Sequence, residues 1–112
     1  MNEVRNYLAA HGAPSDYEIG QGLARLNLTG GGALRWRSSP VSMVCFNRGD
    51  DQMLFLFVIE EARLKDPPPP KPQVTREKDL VCVRWSQGGK AYLLAGPQEA
   101  GFLEKYLLNG PP

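Results

Sequence analysis

Residues 34–60 decide the fold of this chain and read LRWRSSPVSMVCFNRGDDQMLFLFVIE. The densest apolar run, residues 53–59, is apolar at every position, as expected for a central β-strand covered on both faces. Residues 34–37 and 41–46 also have strand composition, and the Ser-Ser-Pro sequence at residues 38–40 is typical of a turn. The stretch therefore predicts three consecutive antiparallel strands.

Two more strands are predicted further along the chain. Residues 80–85 and residues 91–95 have strand composition, and the glycine-containing loop at residues 86–90 joins them as a hairpin. The triplet of glycines at residues 30–32 is interpreted as a flexible turn that leads into the first strand. It does not match a phosphate-binding loop, because that pattern requires a Gly-Lys-Ser/Thr ending at the start of a helix.

Helices are predicted at both ends. Val4, Tyr7 and Leu8 repeat at helical spacing and are expected to face the core, and Gly12 followed by Pro14 is a stop signal for that first helix. A capping box at residues 15–18 predicts a second, short helix. After the last strand the chain predicts a final helix, whose apolar face consists of Phe102, Leu103, Tyr106 and Leu107.

These elements together predict an α+β fold. We expect an antiparallel sheet of about five strands with flanking N-terminal and C-terminal helices, in one domain that spans residues 1–112. The proline-rich residues 67–72 interrupt the strands and favour an extended, polyproline-like conformation. We interpret them as a stiff surface connector, and the alternative is a ligand for a proline-recognition domain.

Composition excludes several classes of function. The 112 residues carry a net charge of +1, which gives no argument for binding nucleic acid. One histidine and two cysteines are too few for a histidine- or cysteine-based metal site, so we expect no metal and no cofactor. The first residues do not resemble a signal peptide, and no apolar run reaches the length of about 20 residues that a membrane helix needs. We expect a soluble chain that does not itself contact a membrane.

The cysteines are the first candidate reactive residues. Cys45 lies between Val44 and Phe46, and Cys82 also has valine on both sides, which favours buried, free and unreactive thiols. A disulfide between the two is the alternative that the sequence leaves open. A nucleophilic Cys–His pair would have to use His11, which has no evident orienting partner nearby. We predict no catalytic residue and no enzymatic activity.

Arg35 and Arg37 are the second candidate positions. Strand alternation places both on the face opposite to Trp36, so we expect exposed arginines over a buried tryptophan. A basic and aromatic strand surface for single-stranded nucleic acid would need all three side chains on one face. We therefore retain Arg35 and Arg37, with Cys45 and Cys82, as contact or redox candidates only.

The spacing of the strand block resembles a known family. The matching segments include Leu34-Arg35-Trp36, Pro40 to Phe46, Leu56 to Ile59 and Gly89 to Ala95, together with Tyr7-Leu8 and Gly12-Ala13-Pro14 near the start. They look like the domain that follows the single membrane helix in a group of bacterial anti-sigma factors and related transmembrane regulators. Members often carry a cysteine and a histidine where this chain has Ala33 and Phe55, so only Cys45 carries over as a candidate.

The resemblance implies a regulatory role. If the resemblance holds, this chain is the excised outer domain of a larger membrane protein and lies in the periplasm or elsewhere outside the cytoplasm. Without the resemblance, we expect a cytoplasmic protein. Its expected partner is a protein, and a sigma factor would be bound only through a segment that precedes this chain. The leading hypothesis is thus a non-enzymatic regulatory or interaction domain, and the alternative is a free-standing module that binds a small ligand or a peptide.

Overall fold

The structure, a computed structural model, describes residues 2–17, 19, 23, 26–47, 53–77 and 80–96. The elements in chain order are α1 (Asn2–Ala10), β1 (Asn27–Trp36), β2 (Ser39–Asn47), β3 (Met53–Glu60), a 3₁₀ turn (Glu61–Arg63), β4 (Gln73–Glu77), β5 (Leu80–Gln87) and β6 (Lys90–Gly96). The strands form one antiparallel six-stranded sheet in the order β1-β2-β3-β6-β5-β4. Two three-stranded meanders are therefore joined by the pairing of β3 with β6.

The predicted antiparallel sheet and N-terminal helix are confirmed, but the sheet has six strands rather than about five. The missed strand is β4, which lies at an edge and contains one apolar residue, Val74, that is 43% exposed. Its polar composition gives no strand signal. The predicted C-terminal helix lies outside the described residues. The predicted second helix starts at residue 15, and residues 14–17 have no regular structure. Most of the remainder of this predicted helix lies outside the described residues.

The position of the first turn differs from the prediction. The three glycines at residues 30–32, predicted as a turn into the first strand, lie inside β1. The turn predicted at residues 38–40 occurs at Arg37 and Ser38, whose φ angles are 49° and 69°. Two consecutive positive φ angles give a turn whose twist matches that of the flanking strands. The pairing of Trp36 with Ser39 closes this two-residue turn. The absence of glycine at the turn costs about 1 kcal/mol for each residue.

The sheet has one covered face and one partly covered face. Along β3, the side chains of Leu54, Leu56 and Val58 are fully buried, whereas those between them are only partly buried. We call the face that carries Leu56 the core face and the face that carries Phe57 the open face. The prediction of a strand covered on both faces is therefore half right among the described residues, because α1 packs on only one side of the sheet.

The hydrophobic core lies between the core face and the N-terminal third of the chain. Leu8 of α1, Tyr17 and Leu23 are buried against the sheet, and Val4 packs at the margin. Tyr7, which was also expected to face the core, is instead 48% exposed. The guanidinium of Arg5 lies 4.3 Å from the centroid of the Tyr17 ring. The sheet contributes the other large side chains of this core: Val44, Phe46, Leu54, Leu56, Val58, Val81, Val83, Trp85, Tyr92 and Leu94.

The end of α1 confirms the predicted stop signal. Gly12 has a φ of +74°, and the amide of Ala13 donates to the carbonyl of Leu8 at 2.9 Å. The amide of Gly12 donates to the carbonyl of Ala9, so that the helix ends in a Schellman motif. The chain then turns back over the core face, where the buried hydroxyl of Ser42 donates to the carbonyl of Pro14.

Gly31 allows α1 to approach β1 closely. A Cβ atom at this position would lie 2.7 Å from Cγ1 of Val4 and 2.9 Å from the carbonyl oxygen of Met43. The neighbouring Gly30, by contrast, has nothing within 4 Å of an added Cβ atom. The helix and the strand are thus held at a distance that only glycine permits.

We predict that Gly31→Ala lowers the free energy of unfolding by about 1–3 kcal/mol, because the added methyl group overpacks the contact with Val4 and the Met43 carbonyl. The measurement is chemical denaturation followed by circular dichroism. The matched control, Gly30→Ala, is expected to stay within about 0.5 kcal/mol of the parent chain. Equal losses in the two variants would contradict the close contact.

Candidate binding groove on the open face

The open face is apolar across four adjacent strands. In β2 it presents Val41, Met43 and Cys45, and in β6 it presents Ala91, Leu93 and Ala95. Between them lie the odd-numbered residues of β3, and at one edge lie Leu34 and Trp36 of β1, which are 41% and 46% exposed. An apolar face of this extent, only partly covered by described residues, is typical of an interaction surface.

A groove of about 530 Å³ lies on this face. Its volume falls within the range of ligand-binding pockets in proteins, and most of its lining is apolar. The lining residues are Leu34, Arg35, Trp36, Val41, Phe57, Val58, Ile59, Leu64, Asp66, Pro68, Arg84, Ala91, Tyr92 and Leu93.

One side of the groove is formed by the connector between β3 and β4. This connector contributes Leu64, Asp66 and Pro68 to the lining. Ser86 of β5 holds it in place, because its hydroxyl donates to the carbonyl of Pro68 and its amide donates to the carbonyl of Pro69. The proline-rich segment is thus a connector, as predicted, and it is also a fixed part of the groove.

Charged groups lie at the margin of the groove. Arg84 lies on the open face opposite Leu93, and Asp66 lies on the connector. Neither side chain forms an ion pair with another described residue. The groove therefore combines an apolar floor with charges that are available to a ligand.

The tip of the β1–β2 hairpin differs from the sequence prediction. Trp36 is exposed rather than buried, because β1 is an edge strand and the described residues place no layer over that end of the open face. Arg37 lies in the turn, outside the alternation of the strand, and its guanidinium is 4.7 Å from the centroid of the Trp36 ring. Arg35 is exposed, as predicted, and donates to the carbonyl of Ser38 at 3.3 Å. Arg35 thus lines the groove, whereas Arg37 lies in the adjacent turn and is not among the lining residues.

The two candidate cysteines share the open face but do not meet. The strand registers align four residues in one row across the sheet, in the order Cys45, Phe55, Ala95 and Cys82. Three strand spacings separate the cysteines, about 14 Å, whereas a disulfide needs Cα atoms within about 7 Å. Neither cysteine forms a disulfide in this fold, which rules out the disulfide alternative here, and both are partly buried. Burial raises the pKa of the Cys45 thiol, which disfavours the reactive thiolate.

No nucleophilic pair is assembled around Cys45. Nδ1 of His11 lies 2.8 Å from the carbonyl of Tyr7, and the histidine ring stacks on that of Tyr7, on the side of the sheet opposite to Cys45. Phe55 is directly opposite Cys45, whereas Ala33 packs against the core on the other face. Of the three positions compared in the resemblance, Cys45 and Phe55 are therefore neighbours, whereas Ala33 is on the opposite face of the sheet. Among the described residues, no group of three or more histidine, cysteine or acidic side chains could hold a metal ion.

Lys90 is a buried lysine that the sequence did not single out. It is 7% exposed on the core face, and its Nζ lies 2.9 Å from Oδ1 of Asp16 and 4.0 Å from Oε1 of Glu60. The hydrogen bond with Asp16 raises the pKa of Lys90, while the same hydrogen bond lowers the pKa of Asp16. A nucleophilic lysine needs a lowered pKa. Lys90 therefore ties the segment after α1 to the sheet.

The residues that form the groove were largely missed by the sequence analysis. Leu64 and Arg84 gave no signal, because one lies in the connector and the other in an ordinary strand. A signal was present in residues 53–59, whose uninterrupted apolar character required a second covering layer. The sequence could not show that the described residues would cover this face only in part.

Comparison with known proteins gives no identification. No protein-family profile, curated protein or solved structure matches the chain. A search of the described helices for one long and apolar enough to span a bilayer finds none.

We predict that Cys45 is alkylated by iodoacetamide more slowly in the folded chain than in denaturant, because partial burial shields the thiol and raises its pKa. A Cys82→Ser background isolates the signal, and mass spectrometry measures the labelled fraction over time. Equal rates with and without denaturant would show an exposed and reactive thiol.

We predict that the stabilising effect of Asp16 depends on pH. Its pKa is lowered from 3.8, so its contribution is present above this value and is lost as the pH falls through the lower pKa of the folded state. Because the carboxylate is 79% exposed, Asp16→Asn should cost only about 0.5–1 kcal/mol at pH 7, measured by denaturation.

The difference between Asp16→Asn and the parent chain should shrink below pH 3.8. It should also shrink above pH 10.5, where Lys90, whose pKa is raised from that value, loses its charge. Asp66→Asn, which removes a carboxylate that has no ion pair with any described residue, is the matched control and should show little difference. A constant difference for Asp16→Asn at every pH would contradict the ion pair.

Proposed function

We propose that this chain is a non-enzymatic interaction domain that binds a partner in the groove on its open face. The observation that carries the proposal is the groove itself, whose apolar floor borders the exposed Leu34 and Trp36 at an edge of the sheet. Exposed apolar side chains beside a concave apolar surface are typical of a surface that binds a partner or a ligand.

The resemblance supplies the setting for this proposal. The chain would act as the extracytoplasmic regulatory domain of an anti-sigma-like membrane protein, with a protein as its partner and with the sigma factor bound by a preceding segment. A complete gene that starts at Met1, without an upstream membrane helix, would overturn this setting and leave the groove as a binding site.

A second candidate function is a free-standing module for a small ligand or a peptide. The volume of the groove, about 530 Å³, supports this alternative because it suits a ligand of drug size. The genomic neighbourhood separates the two candidates, since an adjacent sigma-factor gene supports the regulatory setting alone.

We predict that the dye 8-anilinonaphthalene-1-sulfonate binds the folded chain and that Leu34→Gln weakens this binding about fivefold, because apolar contact area in the groove is lost. Fluorescence titration gives the dissociation constants. The same substitution, made in the gene in its native context, should alter the transcript levels that the regulator controls.

Val74→Gln is the matched control. Val74 has nearly the same exposure as Leu34, 43% against 41%, but it lies on β4 and does not line the groove. Its substitution should leave dye binding and transcript levels unchanged. Equal effects of the two variants, or no binding by the parent chain, would overturn the groove as the binding surface.

A further inference from the structure

Within the part of the chain that the structure describes, one edge of β1 has no paired strand. It is ten residues long, it pairs with β2 on one side, and no described strand pairs with the other side. Alternate amide and carbonyl groups of an edge strand point away from the sheet and remain available to another chain. The regular part of β1 begins after the bulge between Leu28 and Gly30 and extends to Trp36.

The two edges of the sheet differ in how well they are protected. β4 has only five residues, follows Pro72 and carries Arg76, and short length, a preceding proline and a charged side chain all discourage pairing with another strand. Residues 30–34 of β1 contain no charge and no proline, and three of these five residues are glycines. A second backbone can therefore approach β1 without meeting bulky side chains.

The free edge of β1 borders the groove. Leu34 and Trp36 project on the open face, and Leu34 is paired with Val41, which also lines the groove. A strand added beside β1 would place every second side chain on the open face, next to Leu34 and Trp36. Apolar side chains at those alternate positions would extend the groove and bury both exposed residues.

The charges at this edge indicate the character of the added strand. Arg35 and Arg37 are exposed and form no ion pair within the part of the chain that the structure describes. Arg35 and Arg37 lie at and just beyond the C-terminal end of β1, so a partner strand paired along this edge would pass close to both. Glutamate or aspartate in the partner would match these cations, while lysine would be repelled. A second copy of this chain offers no comparable acidic match, since its own β1 is uncharged up to Arg35.

We propose that β1 accepts an extended, acidic segment of a partner protein as a seventh strand of the sheet. The partner segment alternates apolar side chains, which contact Leu34 and Trp36, and carries acidic residues near Arg35 and Arg37. This inference rests on the proposed function, and it adds the mode of binding and the chemistry of the partner. Strand addition to a sheet edge is a recurrent mode of peptide recognition, in which backbone hydrogen bonds supply affinity and alternate side chains supply specificity.

The test uses a peptide of about eight residues that alternates valine with threonine and ends in two glutamates. Binding is measured by NMR titration of the ¹⁵N-labelled chain, and the amides of residues 30–36 should show the largest shifts. Two further versions are N-methylated at alternate residues, one at the odd positions and one at the even positions. Since successive amides of a strand point to opposite edges, one version should lose about tenfold or more in affinity and the other should bind like the parent peptide.

Charge reversal provides a second readout. Arg37→Glu should weaken binding of the acidic peptide about fivefold. A peptide with lysines in place of the glutamates should bind the Arg37→Glu variant with the affinity that the acidic peptide lost. Arg37→Gln is the matched variant that removes the charge without reversing it, and it should give an intermediate affinity. An unchanged affinity in both variants would contradict the acidic character of the partner.

The outcomes separate this inference from the proposed function. If both N-methylated versions bind as tightly as the parent peptide, strand addition is overturned and binding in the groove stands. If no peptide binds while the dye still binds in a Leu34-dependent manner, the inference again fails alone. A concentration-dependent dimer that protects the β1 amides from exchange would identify a second copy as the occupant and overturn the acidic partner. If the parent chain binds neither the peptide nor the dye, the proposed function is overturned together with this inference.

Discussion

The pairing of β3 with β6 is the constraint on which the rest of the structure depends. It is the only ladder that joins the two three-stranded meanders of the described chain, and it places Leu56 opposite Leu94 and Val58 opposite Tyr92. On the core face, these pairs form the centre of the hydrophobic core beneath α1. On the open face, the same ladder pairs Phe57 with Leu93 and so forms the floor of the groove. One set of backbone hydrogen bonds thus fixes both the stable interior and the candidate binding surface.

The two faces differ because the covering layers differ. On the core face α1 and the segment that follows it are held close, by the small size of Gly31 and by the ion pair between Lys90 and Asp16. On the open face the described chain contributes mainly the connector, which Ser86 anchors at one end of the sheet. The open face is consequently covered at the end of β5 and accessible at β1.

Much of the fold followed from local sequence pattern, because strands and helix stops have local physical causes. Gly12 ended α1 as expected, since a left-handed residue was needed there. The longer apolar strands were likewise identified. β4 was missed because an edge strand need not be apolar. The glycines at residues 30–32 lie within β1 rather than in a turn, and Gly31 allows the close approach of α1.

The candidate site was less predictable than the fold. Its residues come from five strands and a connector, so that only the order of the strands, which no local pattern encodes, brings Leu34 near Leu93. The burial of Trp36 was predicted from alternation alone, and this was wrong because alternation assigns a face but not a covering layer. The same strand order places Cys45 and Cys82 too far apart to interact, which no count of cysteines could reveal.

The anchored proline segment has a consequence for the thermodynamics of binding. Each proline has a fixed φ angle, and the two hydrogen bonds from Ser86 fix the position of the run on the sheet. The conformational entropy of this side of the groove is therefore lost when the chain folds and not when a ligand arrives. A ligand that contacts Leu64 or Pro68 meets a preorganised surface, and this lowers the entropic cost of association relative to a flexible loop of the same length.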